Sequence, residues 1–148
     1  EEQAEVIPLL IHCVNDAERI GDRAENLREL AVELASAKQK FSRSARDELD
    51  QLVSMIAEQA ASVSISLGAG GEEAVNRVLR LEGQINELAA TCHDNHIRRL
   101  GKGKCTVATG VAFVELVANL ERIGDHLTNI AERSDGIRPH RMTVSAAK

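Results

Sequence analysis

The chain has almost no aromatic surface: two Phe, no Trp and no Tyr in 148 residues. That excludes the stacking platforms on which single-stranded nucleic acid is held. A formal net charge of −5 removes the basic face that a nucleic-acid binder needs. No apolar run approaches the roughly 18 residues that a membrane-spanning helix requires. Three cysteines, Cys13, Cys92 and Cys105, show no paired spacing. An odd count without CxxC points to reduced thiols in a cytosolic setting, not to a disulfide framework. There is no signal peptide and the first residue is not Met, so the chain is expected to be a piece of a longer protein. Only two prolines interrupt it, and long helices are therefore not barred.

What is present favours helix. Ala, Leu, Val, Ile, Glu and Arg dominate, and they pack helices through small and branched aliphatic side chains. The length suits one domain with its own core. Within it, one stretch occurs twice. Glu-Arg-Ile-Gly-Asp runs from Glu18 to Asp22 and again from Glu121 to Asp125, and an Asn follows each copy, at Asn26 and Asn129. Glu18 and Glu121, Asp22 and Asp125, Asn26 and Asn129 share one constant offset of 103 residues. An internal repeat of this kind is the first thing to explain.

On a helix, Phe113, Leu116, Leu120, Ile123, Leu127 and Ile130 form one apolar face. Glu121 and Asp125 stand one turn apart on its flank, and Glu132 falls on the same stripe after about three turns. The first copy repeats this with Glu18, Asp22 and Glu29. Like charges four apart cost a few tenths of a kcal/mol on an exposed helix, and the repeated Gly costs about 1 kcal/mol against Ala. Keeping both penalties twice implies a neighbouring helix close to each Gly, and a cation or basic partner at the acids. The competing reading is a solvated acidic edge beside an ordinary helix crossing.

Helical spacing places four long helices, over about 4–37, 44–67, 72–100 and 106–134. Ser44 is the expected cap of the second, and Thr106 or Thr109 that of the fourth. The glycines at 68–71 and 101–103 separate helices two, three and four. Gly101-Lys102-Gly103-Lys104 lacks the spacing of a Walker loop and follows no strand, so it is a turn with solvated lysines. The expectation is an all-α, up-and-down antiparallel helical bundle over 1–135, with a flexible tail over 136–148. In it, the first and fourth helices are antiparallel neighbours whose acidic stripes could approach each other.

Other chemistry is sparse. His93 and His96 have a chelating spacing, but helix-end histidines near the dipole are the better reading. His12 and His126 lie on the motif helices off the acidic stripe, with His126 the more suitable metal neighbour. Glu82 and Glu87 on the third helix could add carboxylates, and Asn86 is a weaker ligand. No catalytic set is present, so no enzyme activity is expected.

The repeated Glu-Arg-Ile-Gly-Asp with its following Asn is similar to the signature helix of the PhoU family of bacterial phosphate-signalling proteins. Closer still is the PhoU-like cytoplasmic C-terminal domain of bacterial sodium/phosphate cotransporters. There the stretch from His96 through Lys102, Lys104 and Cys105, then Gly110 to Phe113, and Leu120 to His126, has close counterparts. The resemblance implies two three-helix repeats, of which this chain carries the last helix of one and all three helices of the next. It implies metal binding through Glu18, Asp22, Glu121 and Asp125, and an oxygen-only donor set suits divalent or ferric ions such as iron, Mn, Mg or Zn. It also implies a non-enzymatic regulator of phosphate transport in the cytoplasm. That regulator would be tethered to the inner membrane by the transporter domain of the same parent chain, with a homodimer as a further partnership.

Two rivals stand beside it, apart from a stand-alone PhoU-type regulator or a plain scaffold. A metal-dependent enzyme on a ferritin-like bundle needs Glu-x-x-His pairs, and here Gly21 and Gly124 occupy the His positions. An anion site would have to draw on Arg98, Arg99, Lys102 and Lys104, because carboxylates repel free phosphate.

Overall fold

The structure, a computed structural model, describes the backbone of residues 2–68 and 71–146 and the side chains of residues 6–68 and 71–137. Four helices follow one another: α1 (Glu2–Ser36), α2 (Arg43–Leu67), α3 (Gly71–Gly101) and α4 (Val107–Ala146). The all-α bundle is as expected, and the helix ends explain why the chain turns where it does. Ser42, not Ser44, caps α2, its Oγ accepting from Ala45 N at 3.3 Å. Thr106 and Thr109 cap α4 reciprocally, each hydroxyl accepting the other's backbone N–H at 3.2 and 3.1 Å. Gly103, at φ 65°, closes α3: its N–H donates to Leu100 O and that of Lys104 to Arg99 O. This pair of bonds needs a left-handed residue, which Gly adopts without strain. Residues 69 and 70 of the expected break after α2 lie outside the described residues.

α2, α3 and α4 each pack on the other two, whereas α1 packs on α4 alone among the described residues. The molecule is thus a three-helix unit with a fourth helix laid along its far flank, as the resemblance implied. α1 and α4 run antiparallel, pairing Leu9 with Gly136, Asp16 with His126 and Asn26 with Asn119. Inside the three-helix unit Leu52, Val78, Ile85 and Val117 are wholly buried. Both phenylalanines meet there edge to face, Phe41 and Phe113 at 5.9 Å.

α4 differs from expectation at its end. It continues past Ser134 to Ala146, and Ile137 is only 4% exposed. Gly136 lets this part lie against α1, since a Cβ there would stand 2.6 Å from Leu9 Cδ1. An apolar contact, absent from a purely polar tail, holds the helix at this point. Residues 147 and 148 of the expected tail lie outside the described residues.

The two repeated glycines have different surroundings. Gly124 lies against α2, where buried Gln59 donates its Nε2 to Gly124 O at 3.3 Å and to Thr128 Oγ1 at 3.1 Å. A Cβ at 124 would meet Gln59 Oε1 at 3.3 Å, Ile56 Cδ1 at 3.5 Å and Ile85 Cδ1 at 3.7 Å. A Cβ at 21 would meet no atom from beyond its own helical turn within 4 Å among the described residues. The close neighbour expected at both glycines is therefore found at Gly124 only. The reason is visible at the constant offset: Leu10, Val14 and Gly21 correspond to Phe113, Val117 and Gly124. α4 buries that face against α2 and α3, while α1 presents it to solvent, with Val14 65% exposed.

α1 is fastened to α4 by a polar cluster at its middle. Asp16, 4% exposed, accepts from Arg133 Nη1 at 2.5 Å and from Asn129 Nδ2 at 3.4 Å, and its Oδ1 lies 2.8 Å from His126 Nδ1 in a hydrogen bond. Burial pushes the Asp16 carboxyl up, but the bonds from His126, Arg133 and Asn129 outweigh it and hold it below its usual value. A depressed carboxylate stabilises the fold above its unfolded pKa, and that contribution is lost as pH falls through the folded value. The cluster also shows the repeat: Asn129 to Asp16 and Asn26 to Asn119, at 3.4 and 3.5 Å, are the same contact in the two copies.

Three outcomes follow, each measurable by chemical denaturation. Gly124→Leu lowers stability by about 1–3 kcal/mol through overpacking. Gly21→Ala raises it by about 0.5–1 kcal/mol, because the added methyl meets nothing and the unfolded chain loses freedom. Asp16→Asn destabilises at neutral pH, and its difference from the native protein shrinks as pH drops below about 4. Parallel pH profiles for Asp16→Asn and the native protein would show that the cluster contributes no charge-dependent stability.

Candidate functional site

The four acids singled out by the repeat do not come together. Cys13, Asp16, Ile20 and Leu27 turn toward α4 and the core. Glu18 and Asp22 each lie two residues from one of these positions, about 200° round the helix, and both are exposed. On α4, Asp125 and Glu132 are exposed and Glu121 is half-buried, while Ile123, Gly124, Leu127 and Ile130 are buried. The expected approach of the two acidic stripes is therefore corrected: each stripe points away from the α1–α4 seam. An antiparallel pair related by a pseudo-twofold buries equivalent faces and leaves equivalent acids on opposite sides.

The α4 copy has a further carboxylate near it. Glu82 of α3 is half-buried, and its carboxyl is raised above the usual range by burial, then by the charges of Asp125 and Glu132. That places α3 and α4 acids along one edge of the three-helix unit. Glu87 and Asn86, the other third-helix candidates, are exposed. Among the described residues no three His, Cys, Asp or Glu side chains are grouped so as to hold one ion. Among the described residues the first copy has no α3 equivalent beside it, and its outlying Glu29 shares an open groove with Arg23 and Arg122.

His96 has the structural role expected of it, and His126 is turned to a different acid from the one expected. His126 turns away from Asp125 to bind Asp16 across the helix pair. His96 stacks on Phe113 at 5.7 Å and fills the space that Gly110 leaves. Burial, then the nearby charges of Arg99 and His93, push its pKa down. Both are packing residues here. Cys92 is buried, its thiol pushed up to about 11 chiefly by burial, which keeps it protonated and unreactive at neutral pH. Cys13, Cys92 and Cys105 are all free thiols.

Asp16 was not among the candidates read from the sequence. The available signal was the offset itself, which aligns Asp16 with Asn119: a polar residue in both copies, on the face that meets the other helix. A second group was read as a turn, and also as the residues an anion site would draw on, Arg98, Arg99, Lys102 and Lys104. Lys102 and Lys104 line a depression of about 480 Å³ with Arg43, Arg98 and Arg99, between the start of α2 and the end of α3.

The chain is 28% identical over 133 residues to the Thermotoga maritima phosphate-specific transport system accessory protein PhoU homolog 1, covering 88% of this chain and 55% of that protein. It is 23% identical over 130 residues to the Deinococcus radiodurans phosphate-specific transport system accessory protein PhoU homolog, covering 86% and 59%. The chain thus spans little more than half the length of these relatives. No solved structure matches it. The PhoU domain profile matches residues 49–134, which takes in most of α2, all of α3, and α4 through its Glu-Arg-Ile-Gly-Asp copy. With the signature helix seated in the three-helix unit, and more than half of the chain matched, this protein belongs to the PhoU domain family.

Proposed function

We propose that this domain is a non-enzymatic regulator of phosphate transport that acts on a transporter from the cytoplasmic side of the membrane. The observation that carries the proposal is the PhoU domain match over residues 49–134, joined by similarity to relatives named as accessory proteins of phosphate-specific transport systems. None of the described helices is long and apolar enough to cross a membrane. In this reading the domain works on either a transporter domain of the same parent chain or a separate transporter protein. The similarity of His96–Cys105 and Gly110–Phe113 to sodium/phosphate cotransporter tails favours the first. The names of the relatives favour the second, a stand-alone regulator.

The α1 face with Leu10, Val14 and Gly21 fits a two-repeat protein, in which a second helical hairpin covers it as α2 and α3 cover α4. A homodimer through the same face is the alternative cover, and light scattering separates the two.

The acids fit a metal in part. Glu82, Asp125 and Glu132 repel one another on one edge, and a cation relieves that repulsion. We assign a hard or borderline ion (iron, Mn, Mg or Zn) to Glu121 and Asp125 with Glu82 beside them, and a second, weaker one to Glu18 and Asp22. When bound, such an ion supplies a positive centre that a phosphate group can approach. The chain's own residues hold it at a solvent-facing edge.

Two measurements test this reading. Deleting the domain from its parent gene is expected to leave radiolabelled phosphate uptake unrestrained in phosphate-rich cells, and unchanged uptake would remove the regulatory role. Added Mn²⁺ or Fe³⁺ is expected to raise the melting temperature of the native domain and to lose at least about half of that shift in Asp125→Asn or Glu121→Gln, since each removes one donor. A full shift in both variants places the metal elsewhere.

A further inference from the structure

The depression between the start of α2 and the end of α3 gathers more positive charge than the fold requires. Arg43, Arg98, Arg99, Lys102 and Lys104 line it, in a chain whose net charge is −5. Its one acid, Glu48, is already engaged. Arg99 Nη1 and Nη2 donate to the two Glu48 oxygens at 2.9 and 2.8 Å, and Asn95 Nδ2 adds a third bond at 2.9 Å. Arg99 is 9% exposed and lies 4.8 Å over the Phe113 ring, so this floor is rigid. Asn95 Oδ1 in turn accepts from Arg98 Nη1 at 3.2 Å and sets the direction of that guanidinium. Arg43, Arg98, Lys102 and Lys104 make no ion pair with a carboxylate among the described residues.

Two ordinary explanations fall short. The carbonyl end of α3 attracts cations, but a helix dipole amounts to about half a charge, against four cations in excess of Glu48. A solvated lysine turn accounts for Lys102 and Lys104. It does not account for Arg43 on α2, or for an arginine fixed beneath them. The hydroxyls of Ser42 and Ser44, 3.2 Å apart, line the opposite wall with further donors.

We propose that this depression binds a multiply charged phosphoryl anion, either a soluble oligophosphate or the headgroup of an anionic phospholipid. Arginine forks match phosphoryl oxygens two at a time, and the lysines add point charges. The volume exceeds what one orthophosphate fills, and four free cations call for more than one phosphoryl charge. No aromatic side chain lines the walls, so nothing there holds a nucleotide base. The site lies about 24 Å along α3 from Glu82, sixteen residues at helical rise. It is therefore independent of the acidic edge and of any metal there.

The test uses tripolyphosphate in calorimetry and vesicles of phosphatidylglycerol against phosphatidylcholine in co-sedimentation, with chelator present and at about 50 mM salt, where charge attraction is little screened. The native domain is expected to bind at least one probe. The triple variant Arg43→Ala/Lys102→Ala/Lys104→Ala is expected to bind it about tenfold more weakly, because three charge-assisted contacts are gone. Arg99 is left in place because it holds Glu48. Arg19→Ala/Arg23→Ala on α1 removes two charges elsewhere and is expected to leave binding within about twofold.

Tripolyphosphate binding alone identifies the soluble source, and vesicle binding alone the lipid source. If the triple variant does not fold by circular dichroism, Lys102→Ala and Lys104→Ala, each at an exposed position, make the same comparison singly. The proposal is overturned if neither probe binds, if the α1 control loses as much as the triple variant, or if polyglutamate binds as well as tripolyphosphate.

Discussion

α4 is packed on both flanks, and most of the molecule follows from that. One flank faces α2 and α3 through Phe113, Val117, Gly124 and Leu127, while the other meets α1 near Asn119, His126, Arg133 and Gly136. A helix with two partners must be apolar or specifically paired over most of its circumference. Glu115 and Arg122 line the groove shared with α1, and the acids of the repeat keep to the strip that remains. Glu121, Asp125 and Glu132 therefore line up at helical spacing, and the strip falls beside Glu82 of α3. The acidic edge is in part a consequence of double packing, and its charge is then available for a cation.

α1 repeats α4 in sequence but has only one partner. Its seam with α4 is closed by Asp16, which is fully paired, and by two equivalent Asn contacts about a pseudo-twofold near Gly21 and Gly124. Apolar helices alone slide easily by a turn. Buried directional bonds remove that freedom, since any other register leaves Asp16 charged, buried and unpaired. Its other flank keeps the small and aliphatic residues of a packed helix and shows them to water.

Charge is also sorted along the unit. Carboxylates collect on the edge formed by α3 and α4, and cations collect where α2 begins and α3 ends. Only at Glu48 and Arg99 do the two signs meet within the basic end, and there the pair is nearly buried over Phe113. Separate regions of opposite sign on a small domain suit one that meets more than one kind of charged partner.

The helices, their antiparallel order and the α1–α4 adjacency were legible in the residues, because apolar spacing near 3.6 marks a face and short glycine or threonine breaks mark an end. The repeat was legible too, and through it the family. Spacing reports each face only relative to its own helix axis. Whether Glu18 and Asp22 meet Glu121 and Asp125, whether Gly21 has a neighbour as Gly124 does, and whether His126 serves Asp125 or Asp16 depend on how one axis is rotated against another. Ser42 in place of Ser44, and α4 running on through Ile137, were likewise set by contacts and not by local preference. Periodicity along one chain determines which residues share a surface. Only the packing of helices decides which surface is buried, because that choice depends on burial and pairing across elements distant in sequence.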